Sequence, residues 1–276
     1  MRKKWLIRLI LLVGVVALAF VALDQRLIVR TYTVESDKVE TPIRLAVLTD
    51  YHGCDYGLNG AELVKQTEVL APDAILLVGD MFSADQDCND ELAFFALLKE
   101  IAPTFYVTGN HEYWEQDMPA LMVAIAATGV TVLDQNCVEL TVNDQLINIC
   151  GIPDPYSYVD TETALRRAAG AVGRSGFTIL MAHRPEVIDK YAADGRFDLV
   201  VSGHAHGGQV RIPLLVNGLC APNQGWFPKY AGGRYEVYGT MLIVSRGLST
   251  QRQMGVPRIF NRPELVLVEV VPPAQR

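Results

Sequence analysis

The chain has 276 residues, half of them hydrophobic and a fifth charged, the composition of a globular protein with a core to bury rather than of a disordered or fibrous one. Its formal charge is −7, and setting aside four cations near the start (Arg2, Lys3, Lys4, Arg8) leaves 20 Lys and Arg against 31 Asp and Glu. So acidic a body lacks the cations that grip a phosphate polymer, so no nucleic-acid partner is expected and small or lipid-linked substrates are favoured.

The first element is an apolar helix. Arg2-Lys3-Lys4 precedes Trp5-Leu6-Ile7, Arg8 and an uncharged run from Leu9 to Leu23. That run alone is short for a bilayer core of roughly 30 Å. Counted from Trp5, with Arg8 snorkelling to the headgroups, it is long enough. The basic flank predicts a single-pass anchor in the cell membrane over residues 1–23, with everything after it extracytoplasmic. The competing reading is a cleaved signal, cut after Ala17-Leu18-Ala19 to release a secreted protein. The apolar run continues past that point to Leu23, which favours the anchor. Residues 24–42 read as a polar, β-branched lead-in to a body over 43–276.

The body opens on a β-α-β-α rhythm. Strands are expected at Arg44–Leu48, Ala74–Val78 and Thr104–Val107, with helices near Asn59–Leu70, Asp90–Lys99 and Met118–Thr128. Cys137–Val142 and Gln145–Cys150, joined by Asn143-Asp144, read as an antiparallel hairpin. A helix near Thr161–Ala171, a strand at Phe177–Met181, a helix opened by Pro185 and a strand at Asp198–Ser202 follow. Strand-like segments at Tyr235–Tyr238, Thr240–Ser245 and Glu264–Val270 close the chain. Two sheets packed face to face with helices outside, in one α/β domain, fit this order. Five cysteines without a CxxC pair predict neither a structural zinc site nor a dense disulfide framework, only buried free thiols with at most one or two disulfides.

All five histidines lie just past apolar strands. Asp50-Tyr51-His52 follows the first strand, Gly79-Asp80 the second and Gly109-Asn110-His111-Glu112 the third. Ala182-His183-Arg184 follows Phe177–Met181, and Gly203-His204-Ala205-His206-Gly207-Gly208 follows Asp198–Ser202. Ligand sites in α/β sheets form at the carboxyl ends of strands. Asp50 with His52, and His204 with His206, are spaced so that extended backbone would turn both side chains of each pair to one site. Singly, His183 reads as a core histidine, Asp80 as a helix cap and Asn110 as a turn residue. Jointly, imidazoles mixed with carboxylates and an amide suit two borderline divalent ions such as Mn, Fe, Zn or Ni. Paired against Asp50, Asp80 and a hydroxide, two such ions would leave a net positive pocket for an anionic ester.

The ordered set Asp-x-His, Gly-Asp, Gly-Asn-His-Glu, His and Gly-His-x-His resembles the calcineurin-like metallophosphoesterase family, from about Ile43 onward. The tail segments Pro228-Lys229-Tyr230, Ser245–Leu248 and Arg258–Leu265 are similar to a bacterial membrane-associated subgroup. The resemblance implies a two-sheet αββα sandwich and hydrolysis of phosphoesters. Asp50, His52 and His206 would hold one metal, Asn110, His183 and His204 the other, and Asp80 would bridge them. A hydroxide between the metals would be the nucleophile, and His111 would protonate the leaving group or steady the transition state. The acid that members often place soon after Gly-Asp is met here first at Asp85. Phosphodiesters or pyrophosphate-linked headgroups, including lipid-linked ones, are the expected substrates; monoesters, or a binding role without catalysis, are the alternatives. Two readings of Pro213–Gly233 stay open: its aromatics Trp226, Phe227 and Tyr230 form a substrate lip, or the loop packs them upon itself. No G-x-S-x-G elbow and no P-loop is present.

Overall fold

The computed structural model describes residues 2–83, 88–172, 176–252 and 255–274. After helix α1 (Arg2–Ala22), the elements are β1 (Ile28–Glu35), β2 (Ile43–Leu48), α2 (Ala61–Leu70), β3 (Ala74–Val78), α3 (Asn89–Ile101), β4 (Thr104–Val107), α4 (Met118–Ala127) and β5 (Thr131–Val132). The second half runs β6 (Asn136–Val142), β7 (Gln145–Gly151), α5 (Thr161–Gly170), β8 (Phe177–Met181), α6 (Ile188–Ala193), β9 (Leu199–Ser202), β10 (Cys220–Ala221), β11 (Gly225–Trp226), β12 (Gly233–Val237), β13 (Thr240–Val244) and β14 (Glu264–Val271).

Strand parity builds the layers. Along β2, Leu45 and Val47 face the second sheet while Ala46 and Leu48 face helices; β3 and β4 divide Leu76, Val78, Phe105 and Val107 from Ile75, Leu77 and Tyr106 in the same way. The second sheet mirrors this, with Ile179, Met181, Leu199 and Val201 inward and Leu180 and Val200 outward. Each sheet therefore buries both faces, which is why these strands are apolar throughout rather than alternating. Phe94, Phe95, Leu98 and Ile125 of α3 and α4 cover the first sheet; Leu165, Ala168, Ile188 and Tyr191 of α5 and α6 cover the second. Asp117 and Asp160 cap α4 and α5 by accepting from Ala120 N and Thr163 N. The result is an αββα sandwich with sheet orders β1-β14-β2-β3-β4-β5 and β12-β13-β9-β8-β7-β6.

The lead-in is more than a linker. Within residues 24–42, β1 pairs in parallel with β14 from Ile28↔Glu264 to Glu35↔Val271 and closes the edge of the first sheet. The helix expected at Pro185 begins as a 3-10 turn, Pro185–Val187, before α6. One disulfide, Cys137–Cys150, joins directly opposed residues of β6 and β7. Helix α1 is apolar from Lys3 to Ala22, with a mean hydropathy of 2.6 and none of it buried against the body, and is a candidate membrane anchor.

Candidate active site

The carboxyl ends of β2, β3 and β4 in one sheet, and of β8 and β9 in the other, meet at the same edge of the sandwich. Backbone bonds stitch the loops that leave them. Asp50 N donates to Gly79 O at 3.0 Å, His52 N to Asp80 O at 3.1 Å, and Gly203 N to His183 O at 3.0 Å. Between sheets, His204 N donates to Asp50 Oδ1 at 2.9 Å, and His183 Nδ1 lies 2.8 Å from Val78 O. Glycine is required where the loops touch: a Cβ on Gly79 would lie 2.6 Å from Gly109 N and 2.7 Å from His183 Nδ1.

Asp50 and His52 do reach one site, as do His204 and His206, but not by strand parity. Asp50, His52, Asp80, His204 and His206 all have positive φ, between 46° and 65°. Each strand ends one residue or more before its ligand, and the turn that follows is left-handed. Such conformations cost energy in residues with a Cβ and persist where surrounding bonds impose them. Here those bonds are the loop contacts just named.

The side chains form two overlapping clusters. Asp50, His52, Asp80 and His206 offer donor atoms within 4.8 Å of one another, and so do Asp80, His183 and His204. Asp80 belongs to both. Its Oδ1 accepts from His111 N at 2.8 Å, which leaves Oδ2 facing His183 Nε2 at 3.1 Å and His52 Nε2 at 3.8 Å. His52 Nε2, His183 Nε2, His206 Nδ1 and the Asn110 side-chain oxygen are buried without a hydrogen-bond partner. Buried polar atoms are rarely left so, and four converging lone pairs beside two carboxylates fit divalent cations.

Tautomers agree with that use. A carbonyl only accepts, so His183 Nδ1 carries the proton given to Val78 O and Nε2 presents its lone pair. The same logic applies to His204, whose Nε2 lies 2.8 Å from Asn223 Oδ1, so that Nε2 carries the proton and Nδ1 keeps its lone pair. Burial drives His52 and His204 down to about 3 and His206 well below its ordinary value, keeping these rings neutral as metal ligands must be. Burial also raises Asp50 to about 6. His183 goes the other way, up to about 10: burial alone would lower it, but the Asp80 carboxylate outweighs burial. A cation bound there would take the place of that proton.

Glu112, last of the Gly-Asn-His-Glu run, has no role in the sequence reading yet holds the site together. Fully buried, it accepts from Gly109 N at 2.7 Å, Met81 N at 2.8 Å, Asp80 N at 3.1 Å and Phe82 N at 3.3 Å, tying the β3 loop to the β4 loop. The signal for it was its place directly after His111, at the end of the run that follows the apolar strand Thr104–Val107. Arg184, beside His183, is likewise unassigned by sequence. Asp154 holds it through bonds of 2.6 and 3.1 Å, and it stacks over Tyr156 at 5.1 Å. Asp85 lies outside the described residues.

A pocket of about 250 Å³ opens over Asp80 and Asn110, with Arg184, Trp114 and Tyr156 on one side and Pro222 and Asn223 on the other. His111 is at its mouth, half-buried, its ring 4.3 Å from His52 and 4.2 Å from Trp114. Burial lowers its pKa. The Pro213–Gly233 loop divides: Tyr230 packs inward against Tyr235, while Trp226 and Phe227 remain exposed. Its β10–β11 hairpin brings Asn223 to His204. We expect Asn223→Ala to weaken Mn²⁺ binding at the site about tenfold to a hundredfold, as loss of a ring-orienting partner does. Competition of Mn²⁺ with a chelating dye measures it; unchanged affinity would show that Asn223 does not orient His204.

The family model for calcineurin-like phosphoesterases matches residues 43–208. An uncharacterized metallophosphoesterase of Helicobacter pylori J99 is 31% identical over 252 residues, covering 87% of this chain and 62% of its own length. A transmembrane protein with metallophosphoesterase domain from Bos taurus is 27% identical over 239 residues, covering 81% of this chain and 52% of its own length. The chain thus spans less than two thirds of the length of these relatives. Among solved structures, a Thermus thermophilus sulfate thiohydrolase in complex with glycerol superposes with a TM-score of 0.53 at 11% identity, over 85% of this chain and 57% of that one, a likeness of fold alone.

Proposed function

Because the chain belongs to the calcineurin-like phosphoesterase family, hydrolases of phosphoric esters, we propose that it cleaves phosphodiester or pyrophosphate-linked substrates, lipid-linked ones included, at a two-metal centre. The observation that carries this is the pair of donor clusters sharing Asp80. Asp50, His52 and His206 would hold one ion, Asn110, His183 and His204 the other, with Asp80 between. Divalent ions bound there supply charge neutralisation for the phosphoryl group and an activated water. The protein's own groups do the rest. Arg184, fixed by Asp154, offers a guanidinium fork to a phosphoryl oxygen. His111, at the mouth, is within reach of a leaving oxygen as general acid. Trp114 and Tyr156, each about half exposed, border the side on which the second ester group of a diester would rest.

The full chain in detergent, supplied with Mn²⁺, is expected to hydrolyse bis-p-nitrophenyl phosphate and to stop when EDTA is added. Hydrolysis of p-nitrophenyl phosphate alone would favour a monoesterase. Activity indifferent to EDTA would contradict the metal reading.

The same proposal has α1 anchor the body to the cell membrane on its extracytoplasmic side. The basic flank of α1 supports this, as does the Cys137–Cys150 bond, since disulfides persist in oxidising compartments. Protease added to intact cells should then remove the body while leaving α1 behind; full protection would reverse the orientation.

A further inference from the structure

A second cavity, of about 490 Å³, shares no lining residue with the catalytic pocket. Three guanidinium groups meet in it: Arg30 on β1, Arg211 after the His206 turn, and Arg246 just past β13. One carboxylate serves them. Glu264, fully buried, has Oε2 3.0 Å from Arg30 Nε and 3.4 Å from Arg246 Nε, and its Oε1 accepts from Arg246 N. Arg211 makes no ion pair among the described residues; it donates to Gly207 O at 3.1 Å and to the Asn217 side-chain oxygen. Burial, then the charge of Arg246, lowers Arg211 to about 10. Three half-buried cations against one acid leave a positive surplus in a partly desolvated place, and a second anion would relieve it.

Its position says which anion. Phe260 lines the cavity, and Phe260 N donates at 2.7 Å to the carbonyl of Ala22, the last residue of α1. The cavity therefore opens where the candidate anchor meets the body. In its rim, Leu214 and Leu215 are 105% and 82% exposed. Two bare leucines in front of three arginines have no use in open water. At a bilayer surface the leucines enter the acyl boundary while the arginines meet phosphates.

We propose that this cavity is a headgroup site for an anionic phospholipid of the same bilayer, its phosphate held by Arg211 and Arg246 with Arg30 behind. This rests on reading α1 as a membrane anchor but not on the two-metal centre. A lipid seated there would fix the body's tilt on the membrane and so the direction in which the catalytic mouth faces.

The test is native mass spectrometry of the full chain in neutral detergent, with equal amounts of phosphatidylglycerol and phosphatidylcholine of the same acyl chains. The chain should retain phosphatidylglycerol about tenfold better, the scale of one charge-assisted contact. Arg211→Gln should abolish that preference. Asn217→Asp should abolish it too, because it keeps an acceptor for Arg211 while cancelling its charge at an exposed position; a melting curve checks that losing the amide's bonds to Tyr235 OH and Gly232 O leaves the fold intact. Equal retention of both lipids, or a preference untouched by both variants, would overturn the proposal. So would displacement of the lipid by equimolar glycerol 3-phosphate, which would mark a soluble-phosphate site instead. Release of the chain from membranes by alkaline carbonate would sink the anchor reading separately, without touching the preference read in detergent.

Discussion

Asp80→Ala is expected to lower kcat/KM for bis-p-nitrophenyl phosphate by about a thousandfold or more, the scale of losing one group that stabilises the transition state electrostatically. The reason is its shared position. Asp80 Oδ2 is 3.1 Å from His183 Nε2 and 3.8 Å from His52 Nε2, and both donor clusters include it. Without it each cluster loses a donor and the site loses one of its two carboxylates, so bound metal should fall along with activity. Asp80→Asn keeps the shape and the bond from His111 N but removes the charge, and should fall between. Metal analysis and a thermal melt beside the kinetics separate a lost ligand from a lost fold. Full metal content with activity within tenfold of the parent would contradict the bridging role.

Glu112→Ala is expected to reduce stability more than any other single change near the site. Four buried N–H groups, of Asp80, Met81, Phe82 and Gly109, give their hydrogen bonds to this carboxylate. Leaving a buried donor unpaired costs about 1–3 kcal/mol, and bonds sharing one acceptor do not add fully, so about 4 kcal/mol is the expected loss. At roughly 2–4 °C per kcal/mol for a chain of this size, Tm should fall by about 8–16 °C. Glu112→Gln, which keeps an oxygen, should lose less. Burial, followed by the Asp80 charge, pushes the Glu112 carboxyl up to about 7, against the bonds from Gly109 N and Met81 N, which favour its charged form. A Tm within about 2 °C of the parent for Glu112→Ala would show that water replaces the carboxylate at little cost.

Much of the site was legible because chemistry-bearing residues stand out against apolar strands. Thr104–Val107 and Phe177–Met181 form strands over the spans their apolar runs predict, and each is followed within a few residues by a histidine that reaches the site. The reason for their convergence was less legible. Strand parity predicts that Asp50 and His52 share a side, yet both are left-handed, and cross-strand bonds such as Asp50 N to Gly79 O fold them together. β1 was missed as a strand because Arg30, Thr31 and Thr33 make it look polar, and its partner β14 lies at the far end of the chain. Asn223 sits on a hairpin of two-residue strands, too short to leave a periodic signal. The disulfide was within reach: the two-residue turn at Asn143-Asp144 pairs Val142 with Gln145 and so brings Cys137 opposite Cys150.

In the proposed function, Asp50, His52, Asp80, Asn110, His183, His204 and His206 form one two-metal centre. Anomalous diffraction from crystals of the full chain grown with Mn²⁺ tests it most directly. Two peaks are expected, one among Asp50, His52 and His206 and one among Asn110, His183 and His204, with Asp80 touching both. A single peak, or manganese bound away from these side chains, would contradict it.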